Sequence, residues 1–309
     1  MKKLIWIVTA FLVAALGWLY LAVPNLLRIS NSVTVEVPEA AVTRLLLFNG
    51  GWKSWWPSEP AGNDVFSYGD VGFRVEKFTN SYVATAIKQG DLTVNGLLNF
   101  SAIDKNITVV RWQFDHALSL NPVWRIREYQ KARNIERAMK AVLQHFQKFT
   151  GNKENIYGIG IEYSKVKDTV VAVISSTSRE YPSTNAIYDL INSLLKHTQK
   201  MGIDKNGYPM VNVTRLENRQ YSIMVAIPVK RKAQNFGNIR FKSLVPGNIL
   251  IATVNGGKAT VDHAMLEMSN YVRDMRHISP AIPFQKFISN RMTEPDTSKW
   301  ITELYYPIF

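Results

Sequence analysis

Glu303 and Tyr305 stand two residues apart in an apolar, aromatic terminal stretch, Ile301-Thr302-Glu303-Leu304-Tyr305-Tyr306-Pro307-Ile308-Phe309. If this stretch is a strand, alternation places Glu303 and Tyr305 on one face and Leu304 and Tyr306 on the other. A carboxylate in an aromatic-lined cavity is costly to bury unpaired, so it takes up a proton or is neutralised by a cationic ligand. Tyr305, Tyr306, Trp300, Tyr208 and Tyr221 are close enough, in sequence or by internal similarity, to offer ring faces for cation–π contact with such a ligand. The competing reading is a carboxylate on a solvated edge, or one paired with a nearby Lys or Arg.

Other chemistries lack their residues. The five histidines, His116, His145, His197, His263 and His277, have no metal-ligand spacing, and the chain has no cysteine. Thiol catalysis, disulfides and Cys-ligated metals are thereby excluded, and no metal or cofactor is expected. No Gly-x-Ser-x-Gly elbow occurs. Tyr157-Gly158-Ile159-Gly160 lacks the Lys-Ser/Thr pair of a phosphate cradle and reads better as a closely packed strand.

The terminal stretch has an echo. Tyr221-Ser222-Ile223-Met224-Val225-Ala226-Ile227-Pro228-Val229 runs through a similar series and reaches proline at the same point. Each follows a strand and a helical run, at a spacing of roughly eighty residues, longer than a solenoid repeat. Residues 169–174 lead into a helix over 185–201, and residues 248–254 lead through Gly256-Gly257 into a helix over 261–277. Two half-domains that each carry an apolar sheet face cannot bury it alone, so they are expected to pack as a pseudo-symmetric βαββ pair with a cleft between them. With Pro228 and Pro307 aligned, Glu303 stands where the other copy has Met224.

Upstream, residues 4–23 form a charge-free apolar run behind Lys2 and Lys3. That is about the length needed to cross a bilayer core of ~30 Å as a helix. Bulky Trp18, Leu19, Tyr20 and Leu21 occupy the exit, where a cleavable signal would have small residues, so residues 1–28 read as an uncleaved single-pass anchor. With Lys2 and Lys3 before the run and only Arg28 close to its end, the body is expected outside the cytoplasm at the cell membrane, with residues 4–23 in contact with the lipid bilayer. The formal net charge of +13 suits acidic headgroups. Nucleic acid is disfavoured, because the basic residues are scattered and no nucleic-acid-binding signature occurs.

Residues 29–150 give a half-buried strand at 32–37, a short helix at 39–47, then strand-like runs at 71–78, 82–87, 92–101 and 107–114. A helix over 127–149 carries Ile135, Met139, Val142, Leu143 and Phe146 on one stripe. Polar residues 151–155 mark the boundary to a second domain over 155–309.

Two family resemblances follow. The order of elements in 29–150, with Val35-Glu36-Val37-Pro38-Glu39-Ala40-Ala41-Val42 and the Trp52-x-x-Trp55-Trp56-Pro57 cluster, resembles the polyketide cyclase/START-like (SRPBCC-like) helix-grip family. That resemblance implies a hydrophobic cavity between sheet and closing helix, lined by Trp52, Trp55, Trp56 and Trp112 if these are not core aromatics. Nearly all of 155–309 looks like the GyrI-like (gyrase-inhibitor-like) effector-binding domain. The resemblance is carried by the Gly207 loop, Val225-Ala226-Ile227-Pro228-Val229, Val254-Asn255-Gly256-Gly257 and Thr302-Glu303-Leu304-Tyr305-Tyr306-Pro307-Ile308. It implies two facing βαββ units around a pocket for bulky cationic or aromatic ligands, with Glu303 as the acidic contributor.

The expected fold is thus α+β: an N-terminal transmembrane helix, a helix-grip domain and a duplicated βαββ domain. The expected function is a membrane-anchored binding protein for hydrophobic or amphipathic small molecules, cationic aromatics included. Two alternatives stay open. Some GyrI-like proteins resemble hydrolases of strained electrophiles, which would make Glu303 and Tyr305 an acid/base pair; or the body is a structural envelope interaction module.

Overall fold

The computed structural model describes residues 2–47, 51–59, 62, 64–79, 82–167, 170–217 and 219–309; expectations resting on Met1, Gly50 and Thr169 lie outside them. The fold is α+β, with an apolar N-terminal helix and two antiparallel sheets. The chain divides into two compact units, Met1–Asn152 and Lys153–Phe309.

The first unit begins with α1 (Lys2–Ala22), which is long and apolar enough to cross a membrane and has no buried residue. β1 (Leu26–Val35) follows almost at once, so the anchor boundary expected at residue 28 falls inside a strand. Then come α2 (Glu39–Leu47), α3 (Gly51–Trp55), β2 (Val65–Tyr68), β3 (Val71–Phe78), β4 (Tyr82–Gln89), β5 (Leu92–Asp104), β6 (Ile107–Ala117) and α4 (Pro122–Thr150). The sheet order is β1-β6-β5-β4-β3-β2.

α4 starts earlier than its apolar stripe. Asn121 caps it, its Oδ1 accepting from the amides of Val123 at 3.0 Å and Trp124 at 3.3 Å, and Pro122 takes a first-turn position where no amide is required. The first turn escapes the periodic pattern because Val123 and Trp124 are exposed rather than packed on the sheet.

Trp52, Trp55, Trp56 and Trp112 are all buried. Each indole N–H has an acceptor: Leu46 O, Leu45 O, Ser67 O and Thr85 Oγ1, respectively. The rings pack on one another, and Phe146 of α4 meets Trp55 edge-on at 4.7 Å. They are satisfied core aromatics. Gly96 makes room for them, since a Cβ there would lie 2.7 Å from Thr85 Oγ1 and 3.0 Å from Trp112 Nε1.

The second unit contains α5 (Lys153–Tyr157), β7 (Glu162–Lys165), β8 (Val170–Ser178), α6 (Thr184–Lys200), β9 (Met210–Arg215), β10 (Tyr221–Pro228), β11 (Ile239–Ser243), β12 (Asn248–Asn255), α7 (Lys258–Asp274), β13 (Phe284–Phe287), a 3-10 turn (Thr297–Lys299) and β14 (Ile301–Ile308). The run 157–160 is not a strand. α5 ends at Tyr157, and Gly158 stops it at φ 68°, its amide donating to Glu154 O at 2.7 Å; that left-handed conformation is what glycine provides.

The sheet order is β11-β8-β10-β9-β13-β14-β12-β7. Its inner six strands read β8-β10-β9 and then, mirrored, β13-β14-β12. α6 buries Ile187, Ile191 and Leu194 against Ile223, Val225 and Ile227 of β10, and α7 buries Ala264, Met268 and Tyr271 against Leu304 and Ile308 of β14. Both helices therefore cover one face of the sheet, and the residues between these on each strand point to the other.

Candidate ligand-binding site

The face turned away from α6 and α7 carries different chemistry on β10 and on β14. On β10 the residues that alternate with the α6 contacts are Met224 and Ala226; on β14 they are Glu303, Tyr305 and Pro307. Glu303 and Met224 thus share one face of one sheet.

The Met224 side of this face holds a cavity of about 450 Å³. Its floor is Val171 and Val173 of β8, Met210 of β9, Met224 and Ala226 of β10, and Phe284 of β13. Residues 242–249, 280–282 and 307–309 contribute to the wall. Lys242 is the one charged side chain among these lining residues. Such a volume and lining match sites that take drug-sized apolar ligands, roughly 300–1,000 Å³.

Glu303 and Tyr305 border the cavity without lining it. The Tyr305 hydroxyl donates to Glu303 Oε2 at 2.6 Å, and both residues are half-buried. β13 sits in register beside them, pairing Phe284 with Tyr305 and Lys286 with Glu303. The Phe284 ring stacks on Tyr305 with centroids 5.0 Å apart and planes at 7°, while Lys286 Nζ lies 4.5 Å from the Tyr305 ring centre. Phe284 is therefore common to the cavity floor and the polar cluster. A ligand with its apolar body on Phe284 would have its other end beside a tyrosine, a carboxylate and an ammonium.

The other sequence-derived candidates lie elsewhere. Tyr221 alternates with Ile223 and Val225, on the helix-covered face, and meets Tyr181 edge-on at 5.6 Å. Trp300 donates from Nε1 to Glu294 O at 2.8 Å and lies under the Arg291 guanidinium at 4.9 Å. Arg291 is also 3.5 Å from the Phe287 ring centre and donates to Thr302 Oγ1 at 2.7 Å; burial pulls its guanidinium down to about 10. Tyr208 is half exposed in the loop before β9. Of Glu303, Tyr305, Trp300, Tyr208 and Tyr221, only Glu303 and Tyr305 come together.

Phe284 and Lys286 were not foreseen. The four-residue β13 is too short for periodicity to register, and Phe284-Gln285-Lys286-Phe287 pairs two polar residues between two aromatics, with no strand-like alternation. A second unforeseen cluster lies at the end of α7. The Tyr157 hydroxyl donates to Asp274 at 2.9 Å, that of Tyr271 to Tyr163 at 3.3 Å, and Tyr163 lies 2.6 Å from His277 Nε2. Burial, together with the Tyr271 hydrogen bond, holds the Tyr163 phenol above its usual range. Among the described residues no group of three or more His, Cys, Asp or Glu side chains could hold a metal.

No family model and no curated protein sequence matches the chain. Solved structures do overlap it. The C-terminal domain of EcmrR is 15% identical with a TM-score of 0.42, over 49% of this chain and 98% of that one. SAV2435 bound to tetraphenylphosphonium is 13% identical with a TM-score of 0.34, over 49% and 94%. A hydrolase from Listeria innocua is 9% identical with a TM-score of 0.37, over 52% and 98%.

Proposed function

We propose that this chain is a membrane-anchored binding protein whose second unit is a duplicated βαββ, GyrI-like ligand-binding domain. Its ligand is a hydrophobic or amphipathic small molecule. The apolar body fills the cavity over Met224 and Phe284, and the head reaches the Glu303–Tyr305–Lys286 rim. The observation that carries this reading is the 450 Å³ cavity with one charged lining residue, joined to Glu303 through the stacked pair Phe284 and Tyr305.

A cationic aromatic head is accommodated by Glu303 and the Tyr305 ring, in competition with Lys286, which faces Glu303 across the strand pair. In this reading residues 29–150 are the helix-grip domain that carries the second unit. α1 crosses the membrane, with the body outside the cytoplasm.

Native mass spectrometry of the full chain tests the assignment, against Ala226→Trp, which places an indole in the cavity. A co-bound compound retained by the wild type and absent from Ala226→Trp is expected. No co-bound mass in the wild type when apolar amphiphiles are supplied, or equal retention by both chains, contradicts it.

A further inference from the structure

We propose that the first turn of α4, with Leu120 just before it, is a second membrane contact. In this view Leu120, Val123 and Trp124 sit in the headgroup layer of the leaflet from which α1 emerges. The inference rests on the reading of α1 as a membrane span and adds a lipid-facing surface on the folded body.

The geometry that carries it is a clasp between the end of α1 and the start of α4. The Tyr20 hydroxyl donates to Leu120 O. Arg125 is fully buried; its Nη2 donates to Val23 O at 2.6 Å and to Asn25 Oδ1 at 2.7 Å, and its guanidinium lies 4.8 Å from the Tyr20 ring centre. The amide of Leu118 donates to Asn25 O at 2.9 Å. α1 is thereby tied to the body with no free linker, and whatever depth Tyr20 takes in a bilayer is imposed on its neighbours.

Those neighbours have the character of an interfacial rim. Leu120 is 79% exposed, Val123 57% and Trp124 46%, an apolar group that water would solvate poorly. Arg127 lies 5.4 Å from the Trp124 ring centre, supplying a cation for lipid phosphate beside an amphipathic ring. Tyr20 marks this level on α1 itself, and Trp18 lies about 3 Å from it along the helix axis at ~1.5 Å per residue. The bilayer surface reached by α1 continues onto this patch, so the occupant is lipid.

The chain has no cysteine, so single-cysteine variants accept one spin label each. Leu16→Cys, Leu120→Cys, Val123→Cys and Gln144→Cys would be labelled in the full chain, reconstituted in phosphatidylcholine/phosphatidylglycerol nanodiscs. Accessibility to oxygen and to a polar nickel chelate then reports depth. Labels at 120 and 123 are expected to be oxygen-accessible and chelate-poor at headgroup depth, with 16 in the acyl region. Gln144 should be aqueous, roughly 30 Å further along α4 at ~1.5 Å per residue. A lipidic label at 16 with aqueous labels at 120 and 123 overturns this inference and leaves the span intact; an aqueous label at 16 overturns the span as well. Low accessibility to both reagents at 120 and 123 marks a protein contact, and also overturns it.

Discussion

The rings of Phe284 and Tyr305 lie almost parallel, 7° apart at 5.0 Å, and this stack joins an apolar cavity to a carboxylate. Phe284 is cavity floor on one side and the support for Tyr305 on the other. Tyr305 in turn holds Glu303 through a 2.6 Å hydrogen bond. Any ligand body lying against Phe284 is thus oriented relative to Glu303.

Glu303→Gln should weaken a cationic amphiphile by roughly 1–3 kcal/mol, the range for a charge-assisted contact, and leave a neutral ligand of the same shape nearly unchanged. Lys286→Gln should do the reverse for the cation, strengthening it by removing its competitor. Paired titrations of a quaternary ammonium ligand and its uncharged carbon isostere read both effects. Equal responses of the two ligands in both variants would remove Glu303 from the site.

Much of the second unit was legible because its signals are long. Strands at 221–228 and 301–308 and the amphipathic helices all have enough residues for periodicity to show. Glu303 stood out because its counterpart was Met224. Phe284 and Lys286 were hidden by the brevity of β13, and the link between Tyr305 and the cavity depends on register, which no local pattern encodes. Trp300 and Tyr221 were near in sequence but lie apart from Glu303: strand alternation sends Tyr221 to the helix side, and Trp300 belongs to the Arg291 stack.

In the first unit the tryptophan cluster should be intolerant of added volume at Gly96. Gly96→Val forces a branched side chain against Thr85 and Trp112 and should destabilise the unit by about 1–3 kcal/mol. Urea unfolding followed by tryptophan fluorescence measures this. An unchanged midpoint would mean that the indole cluster can shift without cost.

The proposed topology, with Lys2 and Lys3 on the cytoplasmic side of α1 and the body outside, is open to a direct test. Gln144→Cys on intact expressing cells should react with a membrane-impermeant maleimide, and the mature chain should retain α1. Labelling only after lysis would reverse the orientation, while a mature terminus beyond Val23 would show that α1 is removed.

The most direct measurement is a photolabelling map of the full chain in nanodiscs, with an uncharged diazirine-bearing amphiphile and sequencing of the modified peptides. The account predicts modification within 210–226, 243–249, 280–284 and 307–309, lost in Ala226→Trp, alongside unaffected labelling of α1. Labelling confined to the lipid-facing segments, with none on the sheet cavity, would contradict it.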